Sequence, residues 1–146
     1  MSRRQGSGTL REVNARPSLL IVDDRADVLR TIARYMSLHF EVHAVRSVDE
    51  AEACLTVAAP SRVLCDYWLG RKAPNGGELL VRWRKRFACI NKTALMTGTK
   101  TAALEALPGV DRVFAKPLNF DRVASWLLER EMEAPPADPV RRVTQR

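Results

Sequence analysis

The chain has 146 residues and is 46% hydrophobic, which suits one domain with a sizeable core. Its formal charge is +7, but residues 1–17 hold +3 of it and residues 132–146 another +1, so the +3 left on residues 18–131 speaks against a nucleic-acid-binding core. No apolar run approaches the length of a membrane span or a secretory signal, and Cys54, Cys65 and Cys89 match neither a metal nor a redox-pair spacing, so a cytoplasmic protein with reduced core thiols is expected.

Residues 1–17 are polar and Arg-rich and read as an arm. Leu19–Val22 is a strand-like apolar run. Val28, Leu29, Ile32, Ala33 and Met36 recur at helical spacing, predicting a helix over Ala26–His39. Glu41–Val45 alternates like a strand. Ser47-Val48-Asp49-Glu50 has the form of a capping box, opening a helix that carries Ala51, Cys54 and Leu55 and ends by Pro60. Val63–Asp66 is a third strand and Leu69–Gly77 a loop. A helix over Glu78–Phe87 turns Leu79, Leu80, Trp83 and Phe87 inward. Thr93–Thr97 is a fourth strand, Thr101–Leu107 a short helix stopped by Pro108-Gly109, and Arg112–Ala115 a fifth strand. Asn119 can cap a last helix with Val123, Ala124, Leu127 and Leu128 inward. Residues 132–146 are Pro-rich and read as a tail.

Five apolar strands alternating with amphipathic helices imply an α/β fold, a parallel sheet covered on both faces. Ligand sites in such sheets lie at the carboxyl ends of the strands. There the sequence places Asp23 and Asp24, Asp66, Thr97 and Lys116. Each has a bland role alone: a helix cap, a turn residue, a strand terminus. Together they are a set. Three carboxylates in one place repel one another, and a hard divalent cation such as Mg²⁺ relieves that repulsion. The hydroxyl and the ammonium then suit phosphate oxygens, which points to phosphoryl transfer onto a carboxylate. A phosphatase of the haloacid dehalogenase type would need D-x-D, whereas Asp23 and Asp24 are adjacent.

LLIVDD (Leu19–Asp24), VLCDYWL (Val63–Leu69), NGGELL (Asn75–Leu80), ALMTG (Ala94–Gly98) and VFAKPLN (Val113–Asn119) resemble the receiver domain of bacterial two-component response regulators over about residues 18–131. The D-Y-x-L stretch is most similar to receivers associated with hybrid sensor kinases. The resemblance implies a flavodoxin-like, doubly wound sheet in the order 2-1-3-4-5. It implies that Asp66 accepts the phosphoryl group, that Asp23, Asp24, Asp66 and the main-chain carbonyl of Trp68 hold Mg²⁺, and that Thr97 and Lys116 bind phosphoryl oxygens. The Lys116–Pro117 bond is often cis in the family. The Trp68 indole is expected over the pocket mouth.

The implied partners are a sensor histidine kinase or a histidine phosphotransfer protein, with a further protein as target and no membrane; a homodimer stays open. Such a domain is not an enzyme beyond promoting its own phosphorylation and dephosphorylation. Two features depart from the pattern. Val113 stands where many receivers carry a switching aromatic, with Phe114 facing the other side of the strand. Lys116 comes only 19 positions after Thr97, so the fourth helix must be short. An interaction module uncoupled from phosphorylation is the alternative. The loop Gly70–Asn75, with Arg71 and Lys72, and the helix bases Arg82, Arg84, Lys85 and Arg86 read as solvated surface.

Overall fold

The computed structural model describes residues 16–129. The expected tail over 132–146 and residues 1–15 of the expected arm lie outside them. Arg16 and Pro17, counted with the arm on composition, are bonded to the fold: Arg16 Nη1 donates to the Ser37 carbonyl at 2.8 Å, and Glu41 N–H donates to the Pro17 carbonyl at 2.9 Å.

Strands and helices alternate as β1 (Ser18–Val22), α1 (Ala26–Met36), β2 (Glu41–Val45), α2 (Val48–Val57), β3 (Arg62–Asp66), α3 (Gly76–Arg86), β4 (Lys92–Thr97), α4 (Ala102–Glu105), β5 (Arg112–Ala115) and α5 (Phe120–Leu128). All strand pairs are parallel, and the order is β2-β1-β3-β4-β5, as the resemblance implies. Because strand side chains alternate, each continuous apolar run feeds two cores. Leu20, Val22, Val63, Cys65, Leu95 and Val113 pack under α2 and α3 with Leu55, Leu80 and Trp83. Leu19, Ile21, Leu64, Met96 and Phe114 pack under α1 and α5 with Ile32, Met36 and Leu127. Val113 and Phe114 therefore face opposite sides, and both are buried. No described helix is long and apolar enough to cross a membrane.

The helix ends differ from the sequence reading where caps decide them. Asn75 Oδ1 accepts the Glu78 N–H at 2.9 Å, so α3 begins at Gly76, two residues before the expected start. At the end of α1, Ser37 Oγ turns back onto the Ala33 carbonyl at 2.7 Å, and the N–H groups of Leu38 and His39 close onto Tyr35 and Met36, ending the helix at Met36 rather than His39. Thr101 caps α4 through the Leu104 N–H at 3.2 Å, and the helix covers only Ala102–Glu105. The box at α2 is shifted. Ser47 Oγ accepts the Glu50 N–H at 3.2 Å, but Glu50 Oε1 reaches the N–H of Arg46, at 2.9 Å, rather than that of Ser47. Leu128, expected inward, is 39% exposed, because α5 ends there. The last carbonyls of α5 are met by cations from the sheet: Lys92 Nζ donates to Trp126 at 2.6 Å and Arg62 Nε to Leu127.

Candidate functional site

Strand register brings the expected residues to one edge. Val22 lies opposite Cys65, so Asp23 and Asp66 follow side by side. Asp66 lies opposite Met96, one residue before Thr97. Thr97 lies opposite Ala115, and the Lys116 N–H donates to the Thr97 carbonyl at 2.8 Å. The four strand ends thus present two aspartates, a threonine and a lysine in a row, with Asp24 one step beyond Asp23.

Lys116 Nζ is 2.6 Å from Asp66 Oδ1, with the Asp66 side chain almost wholly buried. The Lys116–Pro117 peptide is cis. Asp23 is fully buried. Its Oδ1 accepts the Arg25 N–H at 3.0 Å, while its Oδ2 has no hydrogen-bond partner. Asp24 Oδ1 is likewise buried without a partner. One carboxylate oxygen each from Asp23, Asp24 and Asp66 falls within 4.8 Å of the others. Burial is the largest influence on Asp23 and raises its proton affinity. The Arg25 amide opposes this, Asp66 and Asp24 add to it, and Lys116 offsets part of it. Buried acceptors without donors are costly, and an oxygen-seeking divalent cation is the group that satisfies such a set. The donor set therefore fits Mg²⁺.

Thr97 Oγ1 and Thr99 exchange hydrogen bonds at 3.2 Å, through the Thr99 N–H and carbonyl. The chain after Asp66 is fixed on both sides of Tyr67: its N–H donates to the Met96 carbonyl and its carbonyl accepts from Gly76, each at 2.8 Å. Trp68 follows in this turn with its side chain largely in solvent, at 59% exposure. Gly70 has φ +112°, and a Cβ there would stand 4.0 Å from Asp24 Oδ2, so the Gly70–Asn75 loop passes beside the acids. Arg71 and Lys72 in it are exposed and form no ion pair among the described residues. Cys65 is buried, Cys54 and Cys89 are half-buried, and burial pushes all three thiols up, as expected of core thiols.

Two contributions carry no motif. Arg46, directly after β2, donates to the Asp24 carbonyl from Nε at 3.3 Å and from Nη2 at 3.1 Å, while the neighbouring Val45 carbonyl accepts the Asp23 N–H at 3.2 Å. The end of β2 thus grips the acid pair on both sides. The second is Arg84, read as solvated surface: it lies 2.8 Å from Asp111 Oδ2 and donates to the Asn91 carbonyl at 3.0 Å.

No family model matches the sequence, and no curated protein matches it. Solved structures do. A response regulator receiver domain protein from Methanospirillum hungatei superposes with a TM-score of 0.68 at 22% identity, over 77% of this chain and 90% of that one. The signal receiver domain of an HD domain-containing protein from Pseudomonas fluorescens gives 0.65 at 21% identity, over 74% and 88%. A response regulator from Burkholderia pseudomallei, whose structure holds a phosphorylated aspartic acid, a calcium ion and citrate, gives 0.67 at 22% identity, over 76% and 66%. The chain has the fold of the response regulator receiver domains.

Proposed function

We propose that this chain accepts a phosphoryl group on Asp66 from a phosphohistidine, that of a sensor histidine kinase or of a histidine phosphotransfer protein, and signals by protein contact or by passing the group on. The observation that carries this reading is the Lys116–Asp66 pair, 2.6 Å apart, beside two further aspartates with buried, unpartnered oxygens. The Burkholderia pseudomallei structure, with its phosphorylated aspartic acid and calcium ion, supports it by likeness of fold.

An oxygen of Asp66 attacks phosphorus; the new P–O bond forms as the P–N bond of the phosphoimidazole breaks, and the leaving nitrogen takes up a proton. Lys116 already pairs with Asp66 and can follow the charge onto a phosphoryl oxygen. Thr97 Oγ1 can exchange its contact with Thr99 for another phosphoryl oxygen. Asp23, Asp24, Asp66 and the Trp68 carbonyl would hold Mg²⁺. When bound, the ion neutralises charge on the acids and the phosphoryl oxygens. The chain promotes only its own phosphorylation and, by water attack on the acyl phosphate, its own dephosphorylation. Incubation with Mg²⁺ and acetyl phosphate is expected to phosphorylate the protein and leave Asp66→Ala unlabelled. No uptake by the wild type, or equal uptake by the variant, sinks the reading.

A second reading rests on Val113 and on α4, which is one turn long. With no aromatic to swing inward, partner binding would be uncoupled from phosphorylation. Equal partner affinity with and without beryllofluoride favours it.

A further inference from the structure

A groove of about 690 Å³ lies between α3 and α4, away from the acid cluster. Tyr67, Val81, Leu104 and Leu107 line it with apolar surface, and Arg82 and Lys85 stand along its α3 wall. The α4 wall of the groove is short, the helix covering only Ala102–Glu105. That helix has no buried residue of its own, and the turn after it meets α3 at two places: a Cβ on Gly77 would meet Leu107 Cδ1 at 2.8 Å, and a Cβ on Gly109 would meet Val81 Cα at 2.6 Å. Past these contacts Arg82 and Lys85 are exposed on α3.

The four bases of α3 are not equivalent. Arg84 pairs with Asp111 at 2.8 Å and Arg86 with Glu52 at 3.4 Å, both away from the groove. Arg82 and Lys85 form no ion pair among the described residues. Glu78 is the one acid among the groove residues, so the wall is net positive. An apolar floor under a net-positive wall selects an acidic, amphipathic partner. The groove runs between helices and takes no residue from β2 or β5, the two edge strands, so no backbone is offered for strand addition. The chain's own residues 1–17 carry +3, the sign of the wall, and nucleic acid would leave the apolar floor unused.

We propose that this groove docks an acidic amphipathic helix of a partner protein, its apolar side chains on Tyr67, Val81, Leu104 and Leu107 and its carboxylates against Arg82 and Lys85. Tyr67 directly follows Asp66, and its main chain is bonded to Met96 and Gly76, so the groove floor is covalently continuous with the acid cluster. Any coupling of docking to Asp66 rests on the phosphoacceptor reading; the docking itself does not.

The test is an amide NMR titration of the full chain. The probe is a helical peptide with leucines at i, i+3, i+4 and i+7 and glutamates between them. Its lysine counterpart, a short DNA duplex and a dilution series of the protein alone accompany it. The acidic peptide is expected to shift Tyr67, Val81, Leu104 and Leu107 saturably, and the double substitution Arg82→Glu, Lys85→Glu to weaken it at least about tenfold. No shift at these residues overturns the proposal. So does equal binding of the lysine peptide, or occupation of the same amides by the duplex or by a second copy instead. Beryllofluoride separates the two claims: peptide binding with no beryllofluoride uptake overturns the phosphoacceptor reading alone, and uptake without peptide binding overturns the groove alone.

Discussion

Gly76 packs directly on the main chain of Asp66: a Cβ at Gly76 would stand 2.2 Å from the Asp66 carbonyl oxygen and 3.0 Å from Leu95 Cδ1. The Gly76 N–H also holds the Tyr67 carbonyl at 2.8 Å. The start of α3 therefore presses on the strand end that carries the proposed phosphoacceptor. A methyl group cannot be accommodated by rotating a side chain, because the obstacle is backbone. Gly76→Ala is expected to cost about 2 kcal/mol or more and to lower phosphoryl uptake, as Asp66 is pushed out of line. Gly98→Ala is the control: a Cβ there meets nothing within 4 Å, and stability should change by less than about 0.5 kcal/mol. Urea midpoints for the pair, measured together, decide the point. Equal midpoints would remove the claimed close approach.

Asp23 gives a dependence on pH and on metal. Its folded proton affinity is raised, chiefly by burial, so its unfolded pKa is the lower of the two. The contribution to stability is then full below the unfolded pKa and lost as pH rises through the folded one. At neutral pH, without a divalent ion, the ionised carboxylate is a burden on the fold. Asp23→Asn should be more stable than wild type by about 1 kcal/mol at pH 7 in chelator, and the gap should close as the pH is lowered into the carboxylate range. Adding Mg²⁺ should raise the wild-type midpoint and move the variant less. A variant no more stable than wild type in chelator contradicts this account.

Arg46 is placed to hold Asp24 by its main chain. Its guanidinium makes two bonds to the Asp24 carbonyl, and its own N–H is fixed by Glu50 at 2.9 Å, which belongs to the cap of α2. Removing a group that orients a metal ligand typically weakens metal binding about 10- to 100-fold. Arg46 is exposed, so the low end is expected for Arg46→Gln, with Arg46→Lys recovering part of it. Trp68, next to the cluster in the chain, offers a fluorescence signal for an equilibrium Mg²⁺ titration. Unchanged affinity in Arg46→Gln would reduce the contact to surface decoration.

The residues whose placement was legible in the sequence are those marked by their immediate neighbours. Asp66 ends an apolar run, Lys116 precedes a proline, and Asp23 and Asp24 stand between a strand and a helical period; the sheet then gathers them because every run ends at the same edge. Arg46 and Arg84 were not legible, because their partners lie 22 and 27 residues away and no periodicity marks such a bond. Helix ends fell between. Asn119 caps as expected, but Thr101, read as the first residue of its helix, is the cap instead, and Asn75 starts α3 before the apolar pattern does, across two glycines that a propensity argument assigns to the loop. Pro17 and Arg16 look like arm by composition, and only their hydrogen bonds to Glu41 and Ser37 attach them to the fold.

Arg84 belongs to a polar knot that locks the amino end of β4 to the turn before β5. Thr93 is fully buried there. Its Oγ1 donates to the Gly109 carbonyl and accepts the Asp111 N–H at 3.1 Å, while its own N–H donates to Asp111 Oδ2 at 2.9 Å. Arg84 closes the knot through the same Asp111 oxygen at 2.8 Å. Thr93→Val keeps the shape but takes the hydroxyl donor from the buried Gly109 carbonyl, while the Asp111 N–H keeps its bond to the Thr93 carbonyl at 3.1 Å; the loss should cost about 1–3 kcal/mol. Arg84→Ala leaves Asp111 with its Thr93 amide and should cost less, about 1 kcal/mol. Arg82→Ala, two residues away and unpaired among the described residues, should be near neutral. Thermal unfolding of the three variants is expected to rank them in that order. An Arg82→Ala loss equal to that of Arg84→Ala would mean that helix propensity and general charge, not the knot, set the stability of this end of α3.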